Sequence, residues 1–170
     1  NESTQMYINT GTQLDYDAGV RFGGKIGEHG YGRIYLKSKK IDNNRYKPVA
    51  IDDSWSSDAI GGKWEYFAGQ NSFMVSGDYQ VQEVMDTSVI SSRVTHKSIP
   101  IDSTNTNLSL QWQHQMSTNK AFTFATQVQR NQRDAGYYRI DDHMLNAEFD
   151  TSYQWQNHQF SSGIGLRQHV

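Results

Sequence analysis

Six histidines are the first residues to test for chemistry: His29, His96, His114, His143, His158 and His169. No two stand at a compact ligand spacing, so the sequence points to no metal site. Paired carboxylates occur in "DDSW" (52–55) and "RIDDH" (139–143). Both stretches fall where loops are expected, and loop acids serve either as solvated charge or as contacts for a cation or a ligand amine. "AGYYRI" (135–140) sets two tyrosines beside an arginine at an exposed tip, a pattern suited to gripping a ligand by aromatic and cationic contact. The candidate ligand contacts are therefore Asp52, Asp53, Trp55, Tyr137, Tyr138 and Arg139. Gly23-Gly24 and Gly61-Gly62 are not nucleotide loops, because no helix follows either pair. No Ser/His/Asp constellation follows from the spacings, and the chain has no cysteine. Neither a catalytic residue nor a cofactor is expected, and the chain does not read as an enzyme.

The elements that hold these residues read as strands almost end to end. "LSLQWQHQM" (108–116) places Leu108, Leu110, Trp112, His114 and Met116 on one side, and Ser109, Gln111, Gln113 and Gln115 on the other. "LDYDAGVRFGGKI" sets Leu14, Tyr16, Ala18, Val20, Phe22 and Ile26 against Asp15, Asp17, Arg21 and Lys25. The same alternation returns in "IGGKWEY", "FMVSGDYQV", "AFTFATQVQ", "LNAEFDTSYQW" and "FSSGIGL". No apolar stripe at helical spacing is long enough for a helix. The prediction is an all-β, antiparallel up-and-down meander of about nine long strands, a single unit over residues 1–170.

Breaks between strands come in two alternating kinds. Short turn signals stand at "GEHG" (27–30), "GQN" (69–71), "TNK" (118–120) and "QNH" (156–158). Longer polar stretches lie near 43–55, 87–104 and 135–142, and the two prolines, Pro48 and Pro100, fall in the first two. Short turns at one end and long loops at the other are what a transmembrane up-and-down barrel displays.

What the apolar side touches decides the function. Aromatics bracket the short turns: Trp64, Tyr66, Trp112, Phe122, Tyr153, Trp155 and Phe160 are expected to form a belt at a membrane interface, with the ring half buried and its polar atom wet. The opposite side carries mixed charge at mid-strand, and Arg21, Arg33, Lys63 and Glu65 are expected to face a water-filled lumen. Glycines on that wall, Gly19, Gly23, Gly61 and Gly163, leave room for something to approach the backbone. Composition is compatible: mean hydropathy is −0.79 and no window of about 18 apolar residues exists, which excludes a transmembrane helix but not a membrane barrel. A net charge of −2 gives no reason to expect nucleic acid. The sequence opens at Asn1, without an initiator Met or a signal peptide, which reads as a processed chain or an excised piece.

"DAGVRFGGKIGEHGYGRIYLKSKKIDN" (17–43), "DDSW" (52–55), "GGKWEY" (61–66) and "FMVSGDYQ" (73–80) together resemble the early barrel of TonB-dependent outer-membrane receptors. "NLSLQWQHQMSTNKAFTFATQVQRNQR" and the closing "AEFDTSYQWQNHQFSSGIGLRQHV" resemble later hairpins of that wall. The likeness lies in order and spacing over about residues 14–168. It implies a fragment of a 22-stranded barrel in the Gram-negative cell outer membrane, without the plug and the TonB box. It further implies uptake of an iron-siderophore, cobalamin or similar large nutrient, with outer-membrane lipid, a plug domain and TonB as partners. Two other readings stand beside it: a soluble antiparallel barrel binding a small ligand, with Trp64, Trp112 and Trp155 buried inside, and a simple porin or outer-membrane enzyme barrel.

Overall fold

The structure, a computed structural model, describes residues 3–42, 53–89 and 96–169. It is all β: β1 (Ser3–Asn9), β2 (Leu14–Ile26), β3 (Gly30–Ile41), β4 (Trp55–Ala68), β5 (Asn71–Val89), β6 (His96–Ser117), β7 (Lys120–Asp134), β8 (Arg139–Trp155) and β9 (His158–His169). Each strand pairs antiparallel with the next, giving one nine-stranded meander in sequence order, as the period-2 pattern predicts. The sheet is not closed, since β1 and β9 each have a partner on one side only.

Cross-strand partners share a face, so the register sorts every side chain. One face is apolar. A row on it runs Ile26, Gly30, Tyr66, Phe73, Trp112, Phe124, Phe149 and Ile164. The other face is polar, with Arg21, Arg33, Lys63, Asp78, Asn107, Gln127, Asn146 and Arg167 among its residues. No second layer covers either face among the described residues. Buried apolar side chains there amount to Ile101, Ala121 and Ala135, while Ile34, Leu108 and Leu166 on the apolar face are 62%, 56% and 66% exposed.

The short turns are built as the sequence suggests. Gly27 and Gly69 take φ of 68° and 59°, a left-handed backbone that glycine adopts without a Cβ penalty, and Gln156 takes 53° in the last turn. Their positions climb steadily. The row from Ile26 meets β4 two residues before its end, β7 four residues after its start and β8 six residues before its end. Each hairpin therefore ends two residues beyond the previous one, a slip of one residue per strand.

Five expectations are corrected. Asp15 does not join the polar face: a bulge between Leu14 and Tyr16 makes it the extra residue, and it turns to Lys40 at 3.3 Å. The same bulge moves Leu14 opposite Ile41, on the polar face. The alternation of 108–116 stops short of Met116, which has no partner at the bulge between Gln115 and Ser117. Much of 87–104 is strand and not loop, because β5 and β6 stay paired out to Val89 and His96. Pro100 is tolerated there. The N–H of its partner Met85 donates to Ser54 O at 2.9 Å on the far side, so the Met85–Pro100 pair exchanges no hydrogen bond. The proline nitrogen points to where β7 has already ended. Finally, 139–142 belong to β8, which leaves residues 135–138 as the connection.

Candidate functional site

The polar face is where side chains converge, and it has two zones. Across β4 to β8 lies a hydrogen-bonded carpet of amides and hydroxyls. Gln80 Nε2 donates to Ser57 Oγ at 2.9 Å, and Ser76 and Ser109 share a hydrogen bond of 2.7 Å. Gln127 Nε2 donates to Asn107 Oδ1 at 2.8 Å, whose amide in turn donates to Asp78 at 3.2 Å. Asn146 donates to Glu148 at 2.8 Å. Asn146 and Glu148 are two apart on β8 and the others are cross-strand or diagonal neighbours, which is why alternation alone brings them together.

Across β2 to β4 the face is cationic. Arg21, Lys25, Arg33, Lys37, Lys39 and Lys63 all project there, by register. Arg33 stands directly opposite Lys63, a like-charge pairing that costs stability unless compensated. Glu65 compensates on one side, at 2.8 Å from Lys63 Nζ. Lys37 Nζ sits 5.4 Å from the Tyr35 ring centroid, and Lys39 Nζ 5.2 Å from that of Trp55. Gly19 and Gly61 make room for two tyrosines. A Cβ on Gly19 would lie 2.5 Å from the Tyr7 ring, and one on Gly61 2.5 Å from the Tyr35 ring. The four residues expected to face a lumen, Arg21, Arg33, Lys63 and Glu65, thus share this polar face.

The seven aromatics expected at an interface share the other face. None is more than five residues from the strand end at a short turn. They contact one another: Trp64 and Tyr66 centroids are 5.7 Å apart, and Trp112 meets Phe122 edge-on at 5.1 Å. Asn71, beside the second turn, accepts from Trp112 Nε1 at 3.0 Å and lies 2.9 Å from His114 Nδ1. Trp64 is 40% exposed and Trp155 55%, so they do not pack into a closed interior. Hydroxyls on this face turn to the backbone or to a neighbour, as Thr126 to Asn146 O at 3.0 Å, Thr151 to Ser162 Oγ at 3.2 Å and Ser38 to the Asp58 carboxylate.

The loop candidates do not converge. Asp52 lies outside the described residues. Asp53 precedes β4, and Trp55 opens it on the polar face, beside Ile41 and Val84 in register. Tyr137 and Tyr138 touch at 5.0 Å in the 135–138 connection, and Arg139 begins β8. The acids of "RIDDH" lie on a strand and are partnered. Arg130 grips Asp141 through two bonds, of 3.0 and 2.7 Å, and Gln132 adds a third at 3.0 Å. These bonds hold the Asp141 carboxyl well below the usual carboxylate range and raise the Arg130 guanidinium above its ordinary value. His143 stands 3.2 Å from Asp141, and His169 3.7 Å from Asp142. Among the described residues no three His, Asp or Glu side chains gather as a metal site would need. Comparison of the chain with family models, with characterised proteins and with solved structures returned no match.

Proposed function

We propose that this chain is a section of the wall of a TonB-dependent outer-membrane receptor, a transport protein and not an enzyme. The observation that carries the membrane part of the reading is an uncovered apolar face whose strands slip by one residue each. A slip of about 3.4 Å per strand at about 4.8 Å spacing corresponds to a tilt of about 35°. That lies at the lower edge of the roughly 35–45° of outer-membrane barrels. On β8 the apolar face runs from Trp155 to Leu145, about 34 Å of strand. At that tilt it spans about 28 Å, against the roughly 25 Å an apolar band needs. Polar residues, His143 and Asp141, follow immediately. In water such a sheet would leave its apolar face uncovered, and a single layer does not normally stand alone. In lipid the same face is satisfied, and the polar face becomes the wall of a wet channel.

The assignment to TonB-dependent uptake rests on the resemblance of the hairpins. In that reading the open edges of β1 and β9 pair with further strands, a plug domain seats against the polar face, and TonB supplies energy. The cargo would be an iron-siderophore, cobalamin or another large nutrient. Fluorescence of Trp64, Trp112 and Trp155 in vesicles carrying quenchers at graded depths tests the membrane part. Quenching that peaks near the interface is expected; depth-independent quenching rejects it. Recovery of the native protein in soluble periplasmic fractions instead of outer-membrane fractions would reject it as well.

A further inference from the structure

One hollow of the polar face has a composition that the wall reading does not require. It measures about 390 Å³ and is lined by Gln5, Tyr7, Arg21, Arg33, Tyr35 and Lys37, with Gly19 beneath. The register explains its shape. Tyr35 stands opposite Arg21, Gly23 opposite Arg33, and Gly19 opposite Lys37. Arg21 is thus a diagonal neighbour of both other cations, with backbones about 7–8 Å apart, and each of those cations faces a glycine across the strand pair. Three positive charges are held together and no carboxylate lines the hollow. The neighbouring acids on this face have partners of their own: Glu65 lies 2.8 Å from Lys63, Asp78 accepts from Asn107 at 3.2 Å, and Asp17 stands opposite Lys39 in register.

The guanidiniums themselves are unused. Among the described residues neither Arg21 nor Arg33 has a hydrogen-bond or ion-pair partner, and the Nε of Arg21 is buried with its hydrogen bond unmade. Leaving a buried charged donor unpaired costs free energy, as does crowding like charges. Both costs vanish if an anion enters. Two guanidinium forks and an ammonium, with the Tyr35 phenol beside them, offer the donors that a phosphate or carboxylate group accepts.

We propose that this hollow is a binding site for a compact oxyanion carrying at least two negative charges, a phosphate or a polycarboxylate. The proposal rests on the reading of the polar face as the wet one. The test is calorimetric titration of the protein in vesicles with pyrophosphate and, separately, with citrate, at constant ionic strength. Saturable binding of at least one is expected, and the tighter of the two tells phosphate from carboxylate. Arg21→Gln and Arg33→Gln should each weaken it tenfold or more, and Arg21→Lys, which keeps the charge but loses the fork, by less. Lys39→Gln removes the same charge from the same face outside the hollow and should change binding less than twofold. No saturable binding of either anion would overturn the site, as would an equal loss in Lys39→Gln, which means diffuse attraction. Tryptophan quenching in the same vesicles keeps the two readings apart. Quenched tryptophans without anion binding overturn the site alone, and binding with unquenched tryptophans overturns the membrane reading alone.

Discussion

The two faces of this sheet are made by the same strands, residue by residue, and they behave oppositely. On the polar face, side chains find partners: amide to hydroxyl, lysine to glutamate, tyrosine over glycine. On the apolar face contacts between rings and aliphatics prevail, and polar pairs such as Asn71 with Trp112 and Arg130 with Asp141 stand towards its two ends. A soluble sheet shows the reverse economy, with its apolar side covered and its polar side loosely solvated. The difference teaches that the polar face is partnered mostly from within, the guanidiniums of Arg21 and Arg33 excepted, while the apolar face has no cover among the described residues.

Adjacent positions on β6 offer the strongest way to break that contrast. Leu110 lies on the apolar face about midway along the band, and Gln111 on the polar face. Leu110→Arg should lower stability in vesicles by about 2–4 kcal/mol, the cost of a cation near the middle of a bilayer. Gln111→Arg should stay within about 0.5 kcal/mol. Urea unfolding of the two variants from vesicles reads the difference. Equal effects would remove the distinction between the faces.

Gly61 tests the polar face in the other direction. Its missing Cβ is the space into which the Tyr35 ring fits. Gly61→Val should cost about 1–3 kcal/mol through crowding, while Gly61→Val combined with Tyr35→Ala should recover part of that loss. Asn71→Ala, at the turn end of the apolar face, removes the acceptor of the Trp112 Nε1 proton. A loss of about 1 kcal/mol is expected, with a shift in tryptophan emission that reports the freed indole.

The faces were legible in the sequence because strand alternation has a fixed period and needs no tertiary information. Arg21, Arg33, Lys63 and Glu65 on one side, and Trp64, Trp112 and Trp155 on the other, follow from counting by twos. What failed were the places where the count changes. A bulge adds one residue without any signature in side-chain type, so Asp15 and Leu14 exchanged faces and Met116 lost its partner. The extension of β5 and β6 was hidden by Ser, Thr and Asn composition and by Pro100, which reads as a loop residue until its nitrogen is seen to face an open edge. The first strand, Ser3–Asn9, escaped notice because it is short, although Met6 and Ile8 already alternate with polar neighbours. The hollow around Arg21 needed the register between β2 and β3. Its signal was present, however, in glycines two residues either side of Arg21 and in the Arg33, Tyr35, Lys37 series.

The smallest expected effect marks where the apolar face stops. Arg130 and Asp141 continue that face beyond Val128 and Leu145, so in the membrane reading their pair stands in the headgroup region or in water. Asp141 keeps its charge to a lower pH in the folded sheet than in the unfolded chain, because Arg130 and Gln132 bond the ionised form. A depressed folded value means that the unfolded state takes up protons first as pH falls. The stabilisation from this pair is therefore complete above the ordinary carboxylate value of about 4 and fades below it. Both partners are largely exposed, so the gain is small and screened by salt. Unfolding followed from pH 6 down to pH 3 should show a shallow loss of stability that Asp141→Asn makes shallower still. An Asp141→Asn profile that coincides with that of the unaltered chain would mean that the pair contributes nothing to holding this edge.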